Sequence, residues 1–434
     1  MWGDQSDLKE HILRDPVHGI IRLDLFNFVK PIVDAEIFQR LRRIAQLGVS
    51  SVTYPSATHS RFQHALGTMH VFHLLYDHLL HFEDIKQDEK ERLLRLGCAC
   101  ALLHDIGHGP LSHASEKLFN FAHEDITSQF IDESEIGIIL DKYEIDRAHM
   151  KDILGGTAKR DEKLISQLIS SQFDADRLDY LSRDAYFTGV GFGNIDLNRM
   201  ANILVVNHSG GPLDGYALSL PKARYSLESY LLSRHLMYQA VYYHKATRGA
   251  ELLLRSALNR ARDISEENSE LPNELDFMKN GNVPTYKEII ELDDHLLYKT
   301  LYYWRKSDDE ILSDLSRRFI NRVLLKSIEL TRARMQQYIG GVDKKLEKLA
   351  HESHYDSTYY FPIDSHSDAP YEPYSIEKGE EQSVMTSIFV YNDEEQPTEI
   401  SRLSGVVQAL SATLYTDRLY FPERLREDVY ALFR

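Results

Sequence analysis

Apolar residues at three- and four-residue intervals dominate the first half of the chain. Phe38, Leu41, Ile44 and Ala45 predict a helix over 38–47, and Phe62, Leu66, Met69, Phe72 and Leu75 predict a second over 62–80. Glu91–Leu103 starts polar and becomes apolar nearly all round, as expected of a helix buried in the middle of a domain. Leu164, Ile165, Leu168 and Ile169 form one face of a helix expected to run to about Tyr186 and to stop at Gly189 and Gly191. Two short β-prone runs, Asn202–Val206 and Tyr216–Leu220, flank HSGGPLDG and predict a hairpin. Helical spacing resumes over 224–262 and 308–348. Beyond Tyr355 the acidic runs GEE and NDEE surround a single strand candidate, Ser387–Tyr391. The expected fold is therefore mostly α: a helical core with a small β-hairpin over 1–355, followed by a small C-terminal α+β appendage over 356–434.

Composition narrows the function classes. The 434 residues leave room for one large domain or two to three smaller ones. With 50 Lys+Arg against 67 Asp+Glu and a net charge of −17, general attraction to nucleic-acid phosphates is not expected, so a bound anion must meet local positive charge. No apolar run approaches the ~20 residues of a membrane span. The opening MWGDQSDLKEH lacks the apolar stretch of a secretory signal. Cys98 and Cys100, inside an apolar stretch, cannot supply a disulfide framework. A cytoplasmic protein is expected.

Histidine is the unusual component, because ten of the 20 lie between His59 and His123. His104 and Asp105 end an apolar helix, where a buried imidazole beside a carboxylate needs a compensating partner. A lone His-Asp pair is more often a satisfied helix end. Here it has company: RFQH at 61–64 upstream, His108, His113 and His123 downstream, and DADRLDY at 174–180. A histidine, a His-Asp pair and a distant aspartate form a four-ligand set that leaves room for water and a substrate oxygen around an octahedral ion. Asp176, Tyr180 and Asp184 are four apart and share a helix face; Arg234, Tyr238 and Tyr242 repeat that spacing.

The pattern His64, His104-Asp105 and Asp176 resembles the HD-domain phosphohydrolases. The longer motifs HSRFQH, HDIGHGPLSH and DADRLDYLSRD are similar to those of the deoxynucleoside triphosphate triphosphohydrolases, which include bacterial dGTPase-like enzymes and the sterile-alpha-motif-and-HD dNTPase. The likeness runs from about Arg14 to Lys245 and opens on DPVHG at 15–19, with no sterile-alpha-motif domain expected before it. It implies a metal site of His64, His104, Asp105 and Asp176 holding Mn, Fe, Mg, Zn or Co, and hydrolysis of a dNTP to deoxynucleoside and inorganic tripolyphosphate. His113 matches the general acid, Glu116 stands where the family usually has Asp, and His108 and His123 match catalytic or phosphate-contacting histidines.

By the same resemblance Arg61, Arg177 and Arg234 hold the triphosphate, as forked guanidinium donors suit anionic oxygens. Tyr180 packs beside the deoxyribose and Asp184 takes its 3′-hydroxyl; Gln46 and Leu47 lie near sugar and base. Tyr242 continues the wall, and Tyr238 replaces a family histidine. Asp34, Gln39, Arg42 and Lys245 match positions of an activator pocket for a guanine nucleotide or dNTP between subunits of a homo-oligomer, in some relatives a tetramer; 34–42 equally fits an exposed helical face. Two alternatives stand beside the triphosphohydrolase: an HD phosphohydrolase acting on a monophosphate, a cyclic dinucleotide or a guanosine alarmone, and a non-enzymatic nucleotide sensor. The absence of a downstream Gly-Tyr-Pro signature weighs against the cyclic dinucleotide, and the intact set of ligands and histidines weighs against the sensor.

Overall fold

The computed structural model describes residues 11–81, 83, 85–159, 162–207, 215–265, 271–280, 282–368, 370–373, 387–391 and 397–434, with 113, 114, 117, 220–222, 280 and 368 described in backbone only. Among the described residues the fold is mostly helical, with three small sheets. At its centre is the helix Arg61–Leu80, packed against the helices Gln87–Leu103 and Ala175–Thr188. Phe62, Leu66, Met69, Phe72 and Leu75 are buried along it, as their spacing predicts. Its start is set by a capping box at Ser60, whose backbone N–H donates to Gln63 Oε1 at 2.8 Å.

Two predicted helices are broken, each for a local reason. The helix expected over 38–47 covers only Glu36–Arg40 and a 3-10 turn, Leu41–Arg43. Ile44 then turns extended (φ −116°, ψ 114°) because the next residues pair with another segment: Gln46 N–H donates to His59 O at 3.0 Å and Arg61 N–H to Ile44 O at 2.9 Å. The helix expected from Leu164 to Tyr186 is two, Glu162–Ile169 and Ala175–Thr188. The break is made by Asp174, which caps the second helix by accepting Arg177 N–H at 2.7 Å and also accepts Ser171 N–H at 2.6 Å. The span 308–348 contains the helices Glu310–Ile320, Arg332–Gln337 and Asp343–Glu352, with the strand Lys326–Glu329 between the first two. Over 224–262, the helices Leu220–Met237 and Lys245–Asp263 are separated by a π-helical turn, Tyr238–Tyr242.

The predicted hairpin forms as Leu204–Val206 against Tyr216–Ser219; its connection at 208–214 lies outside the described residues. Phe389–Tyr391, the expected late strand, pairs in parallel with Tyr216–Ser219, and Thr398–Glu399 completes that sheet. In another sheet Leu414–Phe421 lies between Lys326–Glu329 and Ile363–Asp368. Residues beyond 355 thus share sheets with residues before it. Cys98 and Cys100 are buried free thiols. Among the described residues no helix is long and apolar enough to cross a membrane.

Candidate metal centre and substrate cavity

The centre forms where three elements meet. Gln87–Leu103 delivers His104 and Asp105 at its end, Arg61–Leu80 delivers His64 from its first turn, and Ala175–Thr188 delivers Asp176 from its first turn. Beyond Asp105 the chain passes tightly under the helix His123–Glu133. A Cβ on Gly107 would lie 2.1 Å from His123 O and 2.6 Å from Thr127 N, so only glycine permits that approach.

His64 Nε2 lies 3.0 Å from Asp176 Oδ1 and 3.7 Å from Asp105 Oδ2; His104 Nε2 lies 3.4 Å from Asp105 Oδ1 and 3.6 Å from Asp176 Oδ1. Both Nε2 atoms are buried and make no hydrogen bond of proper geometry. The opposite ring nitrogens are engaged: His64 Nδ1 donates to Asp179 Oδ2 at 2.7 Å and His104 Nδ1 to Ala101 O at 2.9 Å. Two imidazoles locked through Nδ1, with Nε2 turned toward two carboxylates, fit a divalent cation; buried nitrogen lone pairs without such a partner would be costly.

A second group shares Asp105. His108 Nε2 is 3.4 Å and His123 Nε2 3.8 Å from Asp105 Oδ1, and the two rings stack at 3.7 Å. Glu116 Oε1 approaches His108 Nδ1 at 2.6 Å and His123 Nδ1 at 3.3 Å. The Glu at this position therefore serves both histidines. The side chain of His113 lies outside the described residues. Arg61 pairs with Asp105 and donates through Nε to Ser112 Oγ at 2.8 Å.

The charges set protonation. Burial lowers His64, but its contacts with Asp176 and Asp179 outweigh that and push it up to about 10, so a bound cation would have to displace that proton. His108 is pulled down to about 3 by burial and then by Arg61, against Asp105 and Glu116, and stays neutral. Burial opposes charge on Asp105, yet His104 and Arg61 hold it well below the usual carboxylate range.

These groups open on a cavity of about 1020 Å³, lined also by Gln46, Leu47, Arg177, Tyr180, Asp184, Tyr238 and Tyr242. Asp176, Tyr180 and Asp184 run along one wall, as their spacing predicts. Asp184 is buried, with Oδ1 2.7 Å from His59 Nε2 and Oδ2 accepting the Tyr242 hydroxyl at 2.7 Å. Tyr242 stands edge-on to Tyr180 and Tyr238, with centroids at 6.1 and 4.8 Å. Arg177 lines the cavity, pairs with Asp174, and keeps its Nε buried without a partner.

Arg234 lies next to the cavity wall: it donates to Pro370 O at 2.9 Å, its guanidinium is 5.5 Å from the Tyr238 ring centre, it feels Tyr180 and Arg177, and its buried Nε has no partner. Other expected residues stand apart from this cluster: Lys245 is exposed at the start of its helix. Asp34 is on the surface and pairs with Lys30; Arg42 Nε donates to Gln39 Oε1 at 2.8 Å and its guanidinium lies 3.5 Å from the Phe62 ring centre.

Sequence reasoning did not single out Asp179, His18, Arg183, His59, Arg40 or Asp294 for roles around the site. For Asp179 a signal existed, since it lies one helical turn after Asp176 inside the same motif. Arg40 is fully buried and donates to Leu292 O, Ile106 O and His108 O at 3.0, 3.0 and 2.8 Å.

The HD domain family model matches residues 61–184, and the HD associated region model matches 225–432. The chain is 35% identical over 424 residues to the uncharacterized protein YwfO of Bacillus subtilis (strain 168), covering 96% of this chain and 93% of that one. It is 28% identical over 281 residues to the deoxynucleoside triphosphate triphosphohydrolase SAMHD1 homolog of Dictyostelium discoideum, covering 62% of this chain and 52% of that one. The crystal structure of a phosphohydrolase from Bacteroides thetaiotaomicron VPI-5482 superposes with a TM-score of 0.78 at 28% identity, covering 95% of this chain and 100% of that one.

Proposed function

The chain belongs to the HD-domain family, and from that premise we propose that it hydrolyses deoxynucleoside triphosphates to the deoxynucleoside and inorganic tripolyphosphate with a divalent cation. The observation that carries this reading is one helix, Ala175–Thr188, which sets a cation ligand, an aromatic ring and a hydroxyl acceptor in a row along the cavity: Asp176, Tyr180 and Asp184. The similarity to a protein named as a deoxynucleoside triphosphate triphosphohydrolase supports it.

His64, His104, Asp105 and Asp176 would hold the ion. When bound, such an ion polarises phosphoryl oxygens and makes water a better nucleophile near neutral pH. Arg177 offers an unengaged buried Nε, and Arg61, fixed between Asp105 and Ser112, adds a second guanidinium to meet the polyphosphate. With water attacking the α-phosphorus, the bond to the deoxynucleoside O5′ breaks, and this leaving oxygen needs a proton. His113 would donate it, with His108, His123 and Glu116 as the neighbouring group of histidines and carboxylate. Tyr180 and Tyr242 form the surface for the sugar, where close packing disfavours a 2′-hydroxyl, and Asp184 has lone pairs left to accept the 3′-hydroxyl. Arg234 and Tyr238 complete the nucleotide contacts, with Gln46 and Leu47 near sugar and base.

Regulation forms part of the same proposal. Asp34, Gln39, Arg42 and Lys245 would bind a guanine nucleotide or dNTP between subunits of a homo-oligomer; if so, Asp34→Ala loses stimulation by a second nucleotide.

The test is product analysis with all four dNTPs, singly and in pairs, in Mn²⁺ or Mg²⁺. Deoxynucleoside and tripolyphosphate are expected. Release of orthophosphate or pyrophosphate instead would refute the cleavage position, and turnover of a monophosphate or alarmone alone would move the protein to another branch of the family.

A further inference from the structure

A carboxylate far along the chain closes the site from behind. Asp294 begins the helix Asp294–Trp304, inside the associated region and outside the HD domain match. It is 8% exposed, and each of its oxygens accepts a backbone amide from a different segment: Ala45 N–H to Oδ2 at 2.9 Å and Leu111 N–H to Oδ1 at 2.6 Å. The two segments are also joined directly, because Ser112 Oγ donates to Ala45 O at 2.8 Å while accepting Arg61 Nε at 2.8 Å. Asp294, Leu111, Ser112 and Ala45 form a closed hydrogen-bonded circuit.

Both segments bear on the chemistry. Ala45 precedes Gln46 and Leu47 in the cavity wall. Leu111 and Ser112 have φ of 56° and 58°, a left-handed conformation that side-chain-bearing residues avoid and that persists only when surroundings enforce it. Ser112 in turn supports Arg61, which pairs with Asp105 of the cation cluster. Neighbouring contacts reinforce the same place: Arg43 Nε donates to Asp293 Oδ2 at 2.5 Å, and Arg40 joins Leu292 O to Ile106 O and His108 O.

We infer that Asp294 is a positioning residue of this site, clamping the Ala45 and Leu111 amides so that the cavity loop 45–47 and the left-handed turn 111–112 stay in register with Arg61 and Asp105. The catalytic consequence rests on the hydrolase reading above; the clamp itself does not. Asparagine keeps the size but offers one acceptor, and its amide N–H₂ faces the other backbone N–H as donor against donor.

Asp294→Asn is expected to bind Mn²⁺ within threefold of wild type and to unfold within a few degrees of it, while hydrogen exchange at the Ala45 and Leu111 amides speeds at least tenfold. With the dNTP that wild type hydrolyses, kcat falls at least tenfold. Unchanged exchange at both amides overturns the clamp. So does a loss of activity matched by equal loss of Mn²⁺ binding and of the unfolding midpoint, the mark of a general structural role. Should the asparagine variant fail to fold, Asp294→Glu keeps both acceptors but displaces them by a methylene; kcat at least threefold down in a stable protein is expected, and wild-type kcat overturns the assignment. A wild type that hydrolyses no dNTP refutes the triphosphohydrolase reading, and amide exchange then decides the clamp alone.

Discussion

Asp179 Oδ2 lies 2.7 Å from His64 Nδ1, which decides the nitrogen that His64 turns toward the cation cluster. Asp179 is fully buried and is itself held by Arg183, whose Nε and Nη2 both donate to it at 2.9 Å, and by His18 at 2.5 Å. Arg183 also reaches Asp15 at 2.7 Å, so the early DPVHG segment is tied to the centre through two salt-bridged residues. A Cβ on Gly67 would lie 1.9 Å from Asp179 Oδ1; glycine there lets the carboxylate nest against the central helix.

Replacing Asp179 by Asn is therefore expected to weaken cation binding about 10–100-fold, because a single uncharged oxygen is left to serve His64, His18 and Arg183, and the His64 tautomer and orientation are no longer firmly fixed. The same change leaves Arg183 short of a buried partner, at a stability cost of about 3 kcal/mol. Mn²⁺ titration and urea unfolding of the same sample separate the two effects. Wild-type Mn²⁺ affinity in a folded variant would remove Asp179 from the cation site.

Gly107→Ala tests the close approach under the His123–Glu133 helix. The added methyl meets backbone atoms, His123 O and Thr127 N, which cannot swing aside as a side chain can. Overpacking of this kind costs about 1–3 kcal/mol. The displaced turn carries Asp105 and His108, so Mn²⁺ affinity should fall with stability. Calorimetric unfolding with and without Mn²⁺ measures both, and an unchanged midpoint would show that the backbone yields more easily than its contacts imply.

The local parts of this architecture were legible in the sequence. The His104-Asp105 pair, the RFQH segment and the Asp176, Tyr180, Asp184 stripe are contiguous or helically spaced, and the structure brings them to one cavity. What periodicity cannot separate is burial from helicity. Ile44 is buried yet extended, so apolar spacing carried the expected helix past its true end. The break before Ala175 had a local signal in Asp174, a capping residue masked by apolar residues on both sides. Arg40 and Asp294 left none, because they act on backbone groups distant in sequence and such contacts impose no residue pattern on their partners. Residues 208–214, within the hairpin connection, fall outside the described residues.

The pairing of Asp184 with Tyr242 and His59 leads to a substrate-selectivity test. A 3′-hydroxyl bonded to a buried carboxylate contributes about 1.5–3 kcal/mol, so wild type should prefer a dNTP over its 2′,3′-dideoxy analogue by roughly tenfold or more in kcat/KM. Asp184→Asn should lower the dNTP rate and compress that ratio toward unity. Competition assays with the two substrates report the ratio directly. An undiminished preference in the variant would mean that the 3′-hydroxyl is read elsewhere.

Asp294 also gives stability a defined pH dependence. Burial raises its pKa from 3.8 to about 6, opposed by the amides of Ala45 and Leu111; Asp293 raises it further and His295 lowers it, with Arg40 and Tyr298 also facing the carboxyl. The folded state therefore holds the proton more tightly than the unfolded chain. That contribution to stability is fully present below about pH 4 and is lost as pH rises through about 6, by up to about 3 kcal/mol. Asp294→Asn carries no such proton. The stability of wild type minus that of the variant should thus decline between pH 4.5 and 7 and level off above, read from urea unfolding of both proteins across that range. A flat or rising difference would contradict the burial of this carboxylate. The expected decline means that the ionised clamp is kept at neutral pH despite its cost, because only the carboxylate supplies two acceptors to the amides that face it.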